Sequence, residues 1–249
     1  MMAHINFMDE LSSTIAKNYQ WVEERIAEAC LRAHRSTDEV TVIVVTKGHT
    51  VERIRSAIEL GLRKFGENYA EEGSEKIETI GRVAGLEWHM IGHIQSRKAQ
   101  MVVQYFDMVH SLDSLKLARR LDRFAAEKGK LLPVLLECNV SGEESKFGFP
   151  ASDRNLWDDL LTDFSEIAQL PNLEVRGLMT MAPLYENPEF ARPVFRKLVE
   201  LQGYLRTRLP EVRWDEISMG MSSDFEVAIE EGATMVRIGQ AILGERPKS

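Results

Sequence analysis

Lys47 is the residue of this sequence best placed for nucleophilic chemistry. It follows TVIVVT (41–46), a β-branched run that is too short for a helix and typical of a strand buried on both faces, and Gly48 comes next. A lysine carried out of an apolar strand is partly desolvated, which lowers its pKa and frees the amine to attack a carbonyl carbon. The position favours Schiff-base chemistry, and a lysine that reaches solvent or pairs with a carboxylate such as Glu67 is the open alternative.

Two glycine-bearing segments near the C-terminal end have the composition of a phosphate site. SMGMSSDFEVAIEEG ends a predicted strand and starts a helix, with Ser222, Ser223 and Asp224 as candidate caps. RIGQA places Gly239 and Gln240 at the start of a last short helix. The backbone N–H groups of such starts bind phosphate, and ordinary capping with tight-turn glycine explains the same residues equally well.

Two further polar residues occupy positions from which they can reach a ligand. Arg237 lies in TMVRIG, where strand alternation sends it inward if Val236 and Ile238 face the helices. An inward arginine requires a partner, either a bound ligand or an acidic side chain such as Glu67. Asn68 ends the predicted strand KFGEN, where it either contacts a ligand or caps the next helix.

The histidines and cysteines do not form a metal-binding pattern. His89 and His93 are four residues apart but straddle Gly92 at a strand-to-helix switch, so they do not share one helical face. Cys30 and Cys138 are far apart and belong to no CxxC motif. We therefore expect neither zinc nor a disulfide.

The chain alternates between strand and helix patterns along nearly its whole length. An amphipathic helix at 8–34 precedes eight predicted strands separated by seven helices: TVIVVT, KFGEN, EWHMIG, MVHSLD, LLPVLLECNV, LEVRGLMTM, RWDEISMG and TMVRIG. An open doubly wound sheet has the same alternation, but the count of eight favours an α/β fold with a single (β/α)8 TIM barrel over residues 1–249 and an extra N-terminal helix. The polar loop SGEESKFGF, with Lys146 and Phe147, either forms a flap over the site or is an ordinary solvent-exposed loop.

Composition narrows the class of protein. The 249 residues are 44% hydrophobic and 28% charged, with a formal net charge of −8, and the basic residues are interleaved with acidic ones. A nucleic-acid partner is not expected, because no basic patch is present. No signal-peptide pattern or apolar run of membrane-spanning length occurs, so we expect a cytoplasmic protein that does not bind membranes.

The chain resembles the pyridoxal phosphate homeostasis protein family, also called the YggS/PROSC family, in motifs that run in order from about Val40 to Arg246. These motifs are VTKG, FGENY, WHMIGHIQSRK, HSLD, NVSGEESKFGF, GLMTM, SMGMSSDFEVAIEEG and VRIGQAILGER. That family is similar to the N-terminal barrel domain of alanine racemase. The resemblance implies a (β/α)8 barrel that binds pyridoxal 5′-phosphate.

The resemblance also implies roles for six residues. Lys47 would form the Schiff base, Asn68 would lie near the cofactor, and Arg237 would face the pyridine nitrogen. Ser222, Gly239 and Gln240 would bind the phosphate, although Gln240 stands where a Ser or Thr is expected. Because arginine keeps its proton, it disfavours a protonated ring, and carbanion chemistry is weakened.

Three functions follow as alternatives. In the first, the protein is a monomer that carries the cofactor for vitamin B6 homeostasis, buffering it or delivering it transiently to apo-enzymes, without robust catalysis. In the second, it is a weak racemase or lyase. The resemblance to alanine racemase implies that racemisation needs a tyrosine from a second domain on the opposite face of the cofactor. The sequence ends at Ser249, shortly after the last predicted strand, so we expect no such domain. In the third, Lys47 attacks a sugar ketone, as in a class I aldolase.

Overall fold

Eight parallel strands close into a barrel. The structure, a computed structural model, describes residues 2–246 and their side chains from residue 10 onward, so Met1 and 247–249 of the predicted domain lie outside it. Hydrogen-bonded neighbours follow the order β1, β2, β3, β4, β5, β7, β8, β9, and β9 pairs with β1 to complete the circle. The strands are β1 Thr41–Val45, β2 Lys64–Glu67, β3 Glu87–Met90, β4 Met108–Leu112, β5 Leu132–Asn139, β6 Phe149–Pro150, β7 Leu173–Met179, β8 Glu216–Met221 and β9 Met235–Ile238.

Helices cover the outside of this barrel, and the predicted TIM barrel is confirmed. A helix lies between each pair of successive barrel strands, and the two-residue β6, which the sequence pattern did not predict, pairs with the end of β5. The helices are α1 Met2–Arg32, α2 Val51–Glu59, α3 Ala70–Ile80, α4 Ala99–Tyr105, α5 Leu115–Lys128, α6 Trp157–Ala168, α7 Arg192–Arg208, α8 Phe225–Glu230 and α9 Gln240–Leu243. None within the described chain is long and apolar enough to cross a membrane.

Apolar side chains form two layers. The large layer lies between strands and helices and includes Val44, Val236 and Ile238. A small layer, here called the inner cluster, lies inside the barrel and consists of Ile43, Met108, Leu135, Met179 and Met235. Because side chains alternate along a strand, each apolar strand supplies both layers, which explains the near-continuous hydrophobic runs.

The N-terminal helix α1 packs on the barrel beside the last strands. Its stripe of Ile15, Val22 and Ile26 is buried, whereas the neighbouring Trp21 is 48% exposed. Arg25 makes a two-pronged ion pair with Glu226 of α8, with Nε···Oε1 at 2.9 Å and Nη2···Oε2 at 2.7 Å. The predicted N-terminal helix before the barrel is thus confirmed, and it spans Met2–Arg32 rather than the expected 8–34.

We expect Gly177→Ala to destabilise the barrel and Gly203→Ala to stabilise it. A Cβ at Gly177 of β7 would lie 1.8 Å from the Glu216 carbonyl oxygen of β8, whereas a Cβ at Gly203, exposed within α7, meets nothing within 4 Å. The first change should lower the free energy of unfolding by roughly 3 kcal/mol, and the second should raise it by about 0.5–1 kcal/mol. Urea denaturation of both variants measures this, and equal stability of the two would contradict the close β7–β8 approach.

Candidate functional site

A cleft of about 350 Å³ opens at the carboxyl ends of the strands, within the size range of small-molecule sites. All six residues predicted from the sequence line it: Lys47, Asn68, Ser222, Arg237, Gly239 and Gln240. They come from the ends of β1, β2, β8 and β9, which are neighbours only because the barrel is closed. The structure therefore brings the predicted site residues together.

Lys47 lies half-buried in the turn after β1. Its pKa is lowered by burial first, and then by the positive charges of Arg246 and Arg237, while Glu67 and Glu72 act in the opposite direction. The alternative in which Lys47 pairs with Glu67 is wrong, because Glu67 instead accepts from Lys76 Nζ at 2.7 Å. A lysine with a lowered pKa has a larger fraction of free, nucleophilic amine near neutral pH.

The turn that carries Lys47 is anchored on both sides by α3. Lys76 Nζ donates to the Thr46 carbonyl at 2.7 Å and to Glu72 Oε1 at 2.6 Å. The same Glu72 oxygen accepts from the Gly48 backbone N–H at 2.5 Å. Lys76 and Glu72 thus hold the residues before and after Lys47, so that the Lys47 side chain starts from a defined position.

Asn68 follows β2 and faces the cleft. It does not cap α3, because Tyr69 occupies the N-cap position without a side-chain cap hydrogen bond. Its Oδ1 is buried and has no hydrogen-bond partner. The capping alternative is therefore wrong, and a buried unpartnered amide oxygen at a cleft is a ready acceptor for a ligand donor.

The segments after β8 and β9 form a cradle of backbone donors. The hydrogen bonds of the described residues include no acceptor for the backbone N–H groups of Ser222, Ser223 and Gln240. Ser222 Oγ accepts from the Ala241 N–H at 3.5 Å and so links the two segments. The cap of α8 is Asp224 rather than a serine, and its Oδ1 accepts from the Met221 N–H at 2.6 Å. Unpartnered N–H groups that converge on a cleft are suited to an anion.

Arg237 points into the barrel, as strand alternation predicts, and lines the cleft while only 3% exposed. Its Nη1 donates to Ser218 Oγ at 2.6 Å and its Nη2 to the Thr180 carbonyl at 2.8 Å. Within the described chain no carboxylate forms an ion pair with it, so the Glu67 alternative is wrong. Burial lowers the pKa of Arg237 to about 10, which leaves it charged at neutral pH.

The far side of the barrel mouth contains a contact that the sequence did not predict. His93 Nδ1 lies 2.9 Å from Asp113 Oδ2, and the His93 ring stacks on Phe147 with centroids 3.6 Å apart. Lys146 Nζ donates to the Met181 carbonyl at 2.9 Å. Phe147 and Lys146, the two loop residues singled out in the sequence, therefore both attach the loop 141–148 to the mouth of the barrel. No group of three or more His, Cys, Asp or Glu side chains suited to a metal occurs in the described part of the chain.

Sequence reasoning missed seven of the residues that line the cleft, and most of them are apolar. They are Val45, Ile91, Met181, Leu184, Met221, Ser223 as a ligand contact, and Arg246. Ile91 directly follows β3 and Met181 lies two residues after the end of β7, so the rule that barrel sites lie at strand ends was the signal available for them. Arg246 lies eight residues after β9, and nothing in its local pattern points to the cleft.

A closed parallel barrel with a lysine, an arginine and backbone donors converging on a cleft at its strand ends defines a (β/α)8 protein with a small-molecule site. The family model described as "Alanine racemase, N-terminal domain" matches residues 12–247. The chain is similar to the pyridoxal phosphate homeostasis protein of Escherichia coli K12, with 41% identity over 94% of this chain and 98% of the relative. It is also 42% identical to that of Aquifex aeolicus, over 90% of this chain and 95% of the relative. The chain belongs to the pyridoxal phosphate homeostasis protein family.

Solved structures agree with this assignment. PipY of Synechococcus elongatus PCC7942, solved with PLP bound, is 35% identical and superposes with a TM-score of 0.76 over 90% of this chain and all of that one. Alanine racemase of Clostridium difficile is 15% identical, with a TM-score of 0.71 over 95% of this chain and 58% of that one, and supports the fold alone.

We expect Arg246→Gln to raise the pKa of Lys47. Removing a nearby positive charge makes the lysine ammonium less unfavourable, so the protonated form persists to higher pH. The pH dependence of Lys47 acetylation, followed by peptide mass spectrometry, measures this. Arg213→Gln, at the opposite end of the barrel and paired with Asp215, is the matched control and should leave Lys47 unchanged. An unchanged Lys47 titration in Arg246→Gln would remove Arg246 from the site.

Proposed function

We propose that this protein binds pyridoxal 5′-phosphate through Lys47 and maintains vitamin B6 homeostasis by buffering or delivering the cofactor. The observation that carries the proposal is the convergence of an activated lysine, a charged arginine and unpartnered N–H donors on one cleft. The family relationship and the PLP-bound PipY structure support it.

The residues of the cleft fit the chemical groups of this cofactor. The Ser222 hydroxyl and the backbone donors at Ser223, Gly239 and Gln240 would hold the phosphate. Gln240 can add a side-chain amide donor where a hydroxyl was expected. Asn68 and Arg237 would contact the ring, and apolar side chains such as Ile91 and Met181 line the remaining wall.

When bound, pyridoxal phosphate supplies an aldehyde that condenses with an amine and a conjugated ring that can accept electrons. Lys47 provides the amine, and its lowered pKa keeps part of it unprotonated. Arg237 only donates hydrogen bonds, because a pKa of about 10 leaves it protonated at neutral pH. It therefore does not stabilise added positive charge on the ring, which weakens the ring as an electron sink.

The composition of the cleft favours storage over turnover. Among the described residues that line it, Lys47 is the one acid–base side chain other than arginine, and a racemase needs an acid–base group on each face. Leu184 on the rim is 84% exposed, so the cleft is open to solvent. An open site suits uptake and release better than protected chemistry.

In the cell, we propose, the protein is a cytoplasmic monomer. It meets apo-enzymes that use pyridoxal phosphate only transiently. The cofactor is bound and released chemically unchanged, and the protein does not catalyse a robust reaction of amino acids.

We expect Lys47→Ala to remove covalent binding of the cofactor. Titration with pyridoxal phosphate should give wild type a new visible absorbance band and a borohydride-stable adduct on Lys47, and the variant neither, with affinity at least tenfold weaker. Lys116→Ala, on the exposed face of α5, is the matched control. Product formation from a panel of L- and D-amino acids would instead favour the weak racemase or lyase. A wild type that acquires no band would overturn the cofactor assignment and leave the aldolase alternative to be tested with sugar phosphates.

We expect Ser222→Ala to discriminate between two forms of the vitamin. Losing a hydrogen bond to a charged group should weaken binding of pyridoxal phosphate by about tenfold. Binding of pyridoxal, which lacks the phosphate, should be unchanged. Equal weakening of both ligands would show that Ser222 does not contact the phosphate.

A further inference from the structure

A continuous series of polar side chains, here called the interior chain, crosses the barrel below the cleft. Arg237 Nη1 donates to Ser218 Oγ at 2.6 Å, and Ser218 Oγ lies 2.9 Å from His110 Nδ1. His110 Nε2 lies 2.8 Å from His89 Nδ1. His89 Nε2 is 3.5 Å from Glu87 Oε2, close enough for an electrostatic contact, and it is buried without a hydrogen-bond partner among the described residues. The interior chain thus connects the cleft with the first residue of β3, at the opposite end of the barrel.

These polar groups occupy space that a parallel barrel ordinarily fills with apolar side chains. Ser218 and His110 are 0% exposed and His89 is 1% exposed, and the inner cluster lies inside the same barrel. Burying hydrogen-bonding groups is unfavourable unless each finds its partner. Their presence at the centre of the barrel therefore requires an explanation other than packing.

The two ends of the interior chain determine its direction. A guanidinium only donates, so Ser218 Oγ must accept from Arg237, and the described contacts leave His110 Nδ1 as the acceptor for the Ser218 proton. His110 then carries its proton on Nε2 and donates to His89 Nδ1. His89 in turn carries its proton on Nε2, which faces the Glu87 carboxylate.

If the hydrogen bonds of the interior chain ran in the opposite direction, from His89 towards Ser218, two groups would lack a suitable partner. The Ser218 proton would have no acceptor among the described contacts. The bare Nε2 of His89 would face the carboxylate oxygen of Glu87, which places two acceptors against each other.

We propose that the interior chain is directed from Arg237 to Glu87 and that Ser218, His110 and His89 are positioning residues for Arg237. This inference rests on the proposed function, because it concerns how the arginine is presented to bound pyridoxal phosphate. The chain holds the guanidinium in place without a carboxylate in contact. The carboxylates that act on it electrostatically, Asp224 and Glu137, form no ion pair with it within the described chain. Glu87, at the far end of the interior chain, is paired with Lys64, with Lys64 Nζ 2.9 Å from Glu87 Oε2. The remaining donors of Arg237 stay available to the ligand.

The charges around the histidines are consistent with neutral rings. Burial lowers the pKa of both His89 and His110, that of His110 well below its usual range. Lys64 and Arg237 act in the same direction on His110, whereas Glu87 and Asp107 oppose the shift of His89. The nearby His89, 3.5 Å away, and the pairing with Lys64 lower the pKa of Glu87 to about 2, so it is a carboxylate at neutral pH.

The direction is measured without any cofactor. Nitrogen-15 NMR of the imidazole side chains distinguishes the two neutral tautomers, and His89→Asn and His110→Asn variants assign the resonances. We expect both rings to be neutral and protonated on Nε2 at neutral pH. A proton on Nδ1 of either ring, or a charged ring, would overturn the direction.

The positioning role is tested by the coupling between Ser218 and Arg237. Ser218→Ala should weaken pyridoxal phosphate binding by about tenfold, because Arg237 loses an acceptor. In an Arg237→Gln background the same change should alter affinity less than about twofold, since nothing remains to be positioned. Ser111→Ala is the matched control: Ser111 is also fully buried and donates to the Gly92 carbonyl at 2.6 Å, but it lies outside the interior chain.

The outcomes separate this inference from the proposed function. Equal effects of Ser218→Ala with and without Arg237, or an effect of Ser111→Ala as large as that of Ser218→Ala, would show that Ser218 acts on stability alone. Failure of Lys47→Ala to change cofactor binding would overturn the function, while the tautomers would still report the interior chain.

Discussion

The pairing of β1 with β9 is the contact on which the site depends. It aligns Ile43 with Arg237 and Val44 with Ile238, so the two strands end side by side although almost the whole chain separates them. Lys47 then lies beside the segment that carries Gly239 and Gln240. Closure of the barrel thus converts two distant sequence motifs into one cleft.

The charged residues around the cleft form two layers, a basic one that lines the cleft and a layer of paired carboxylates below it. In the cleft, Lys47, Arg237 and Arg246 place positive charge in a protein whose net charge is −8, and no carboxylate lines the same surface among the described residues. Below Lys47, the carboxylates of Glu67 and Glu72 are both paired with Lys76. The acidic groups are neutralised by the scaffold, and the basic groups are left for an anionic ligand.

The barrel interior combines the inner cluster with the interior chain. The apolar residues exclude water, and in that dry environment each hydrogen bond of the chain is stronger and each missing partner more costly. Arg237 is therefore held by geometry rather than by an adjacent opposite charge. Burial lowers its pKa to about 10, although the charges of Asp224 and Glu137 act in the opposite direction.

The strand and helix pattern, with apolar runs of fixed length and glycines between them, determined the fold class and pointed to six of the thirteen residues that line the cleft. Lys47, Arg237 and the segments after β8 and β9 were predictable because each is defined by its place at a strand end, which is a local property. The roles of Asn68 and Glu67 were not, because a cap and a ligand contact, or a free and a paired carboxylate, have the same local sequence. Only the tertiary structure showed that Lys76 pairs with Glu67, that Arg246 reaches the cleft, and that Ser218, His110 and His89 form a hydrogen-bonded series from Arg237. These contacts link strands far apart in the chain, and the barrel's closure and register decide them.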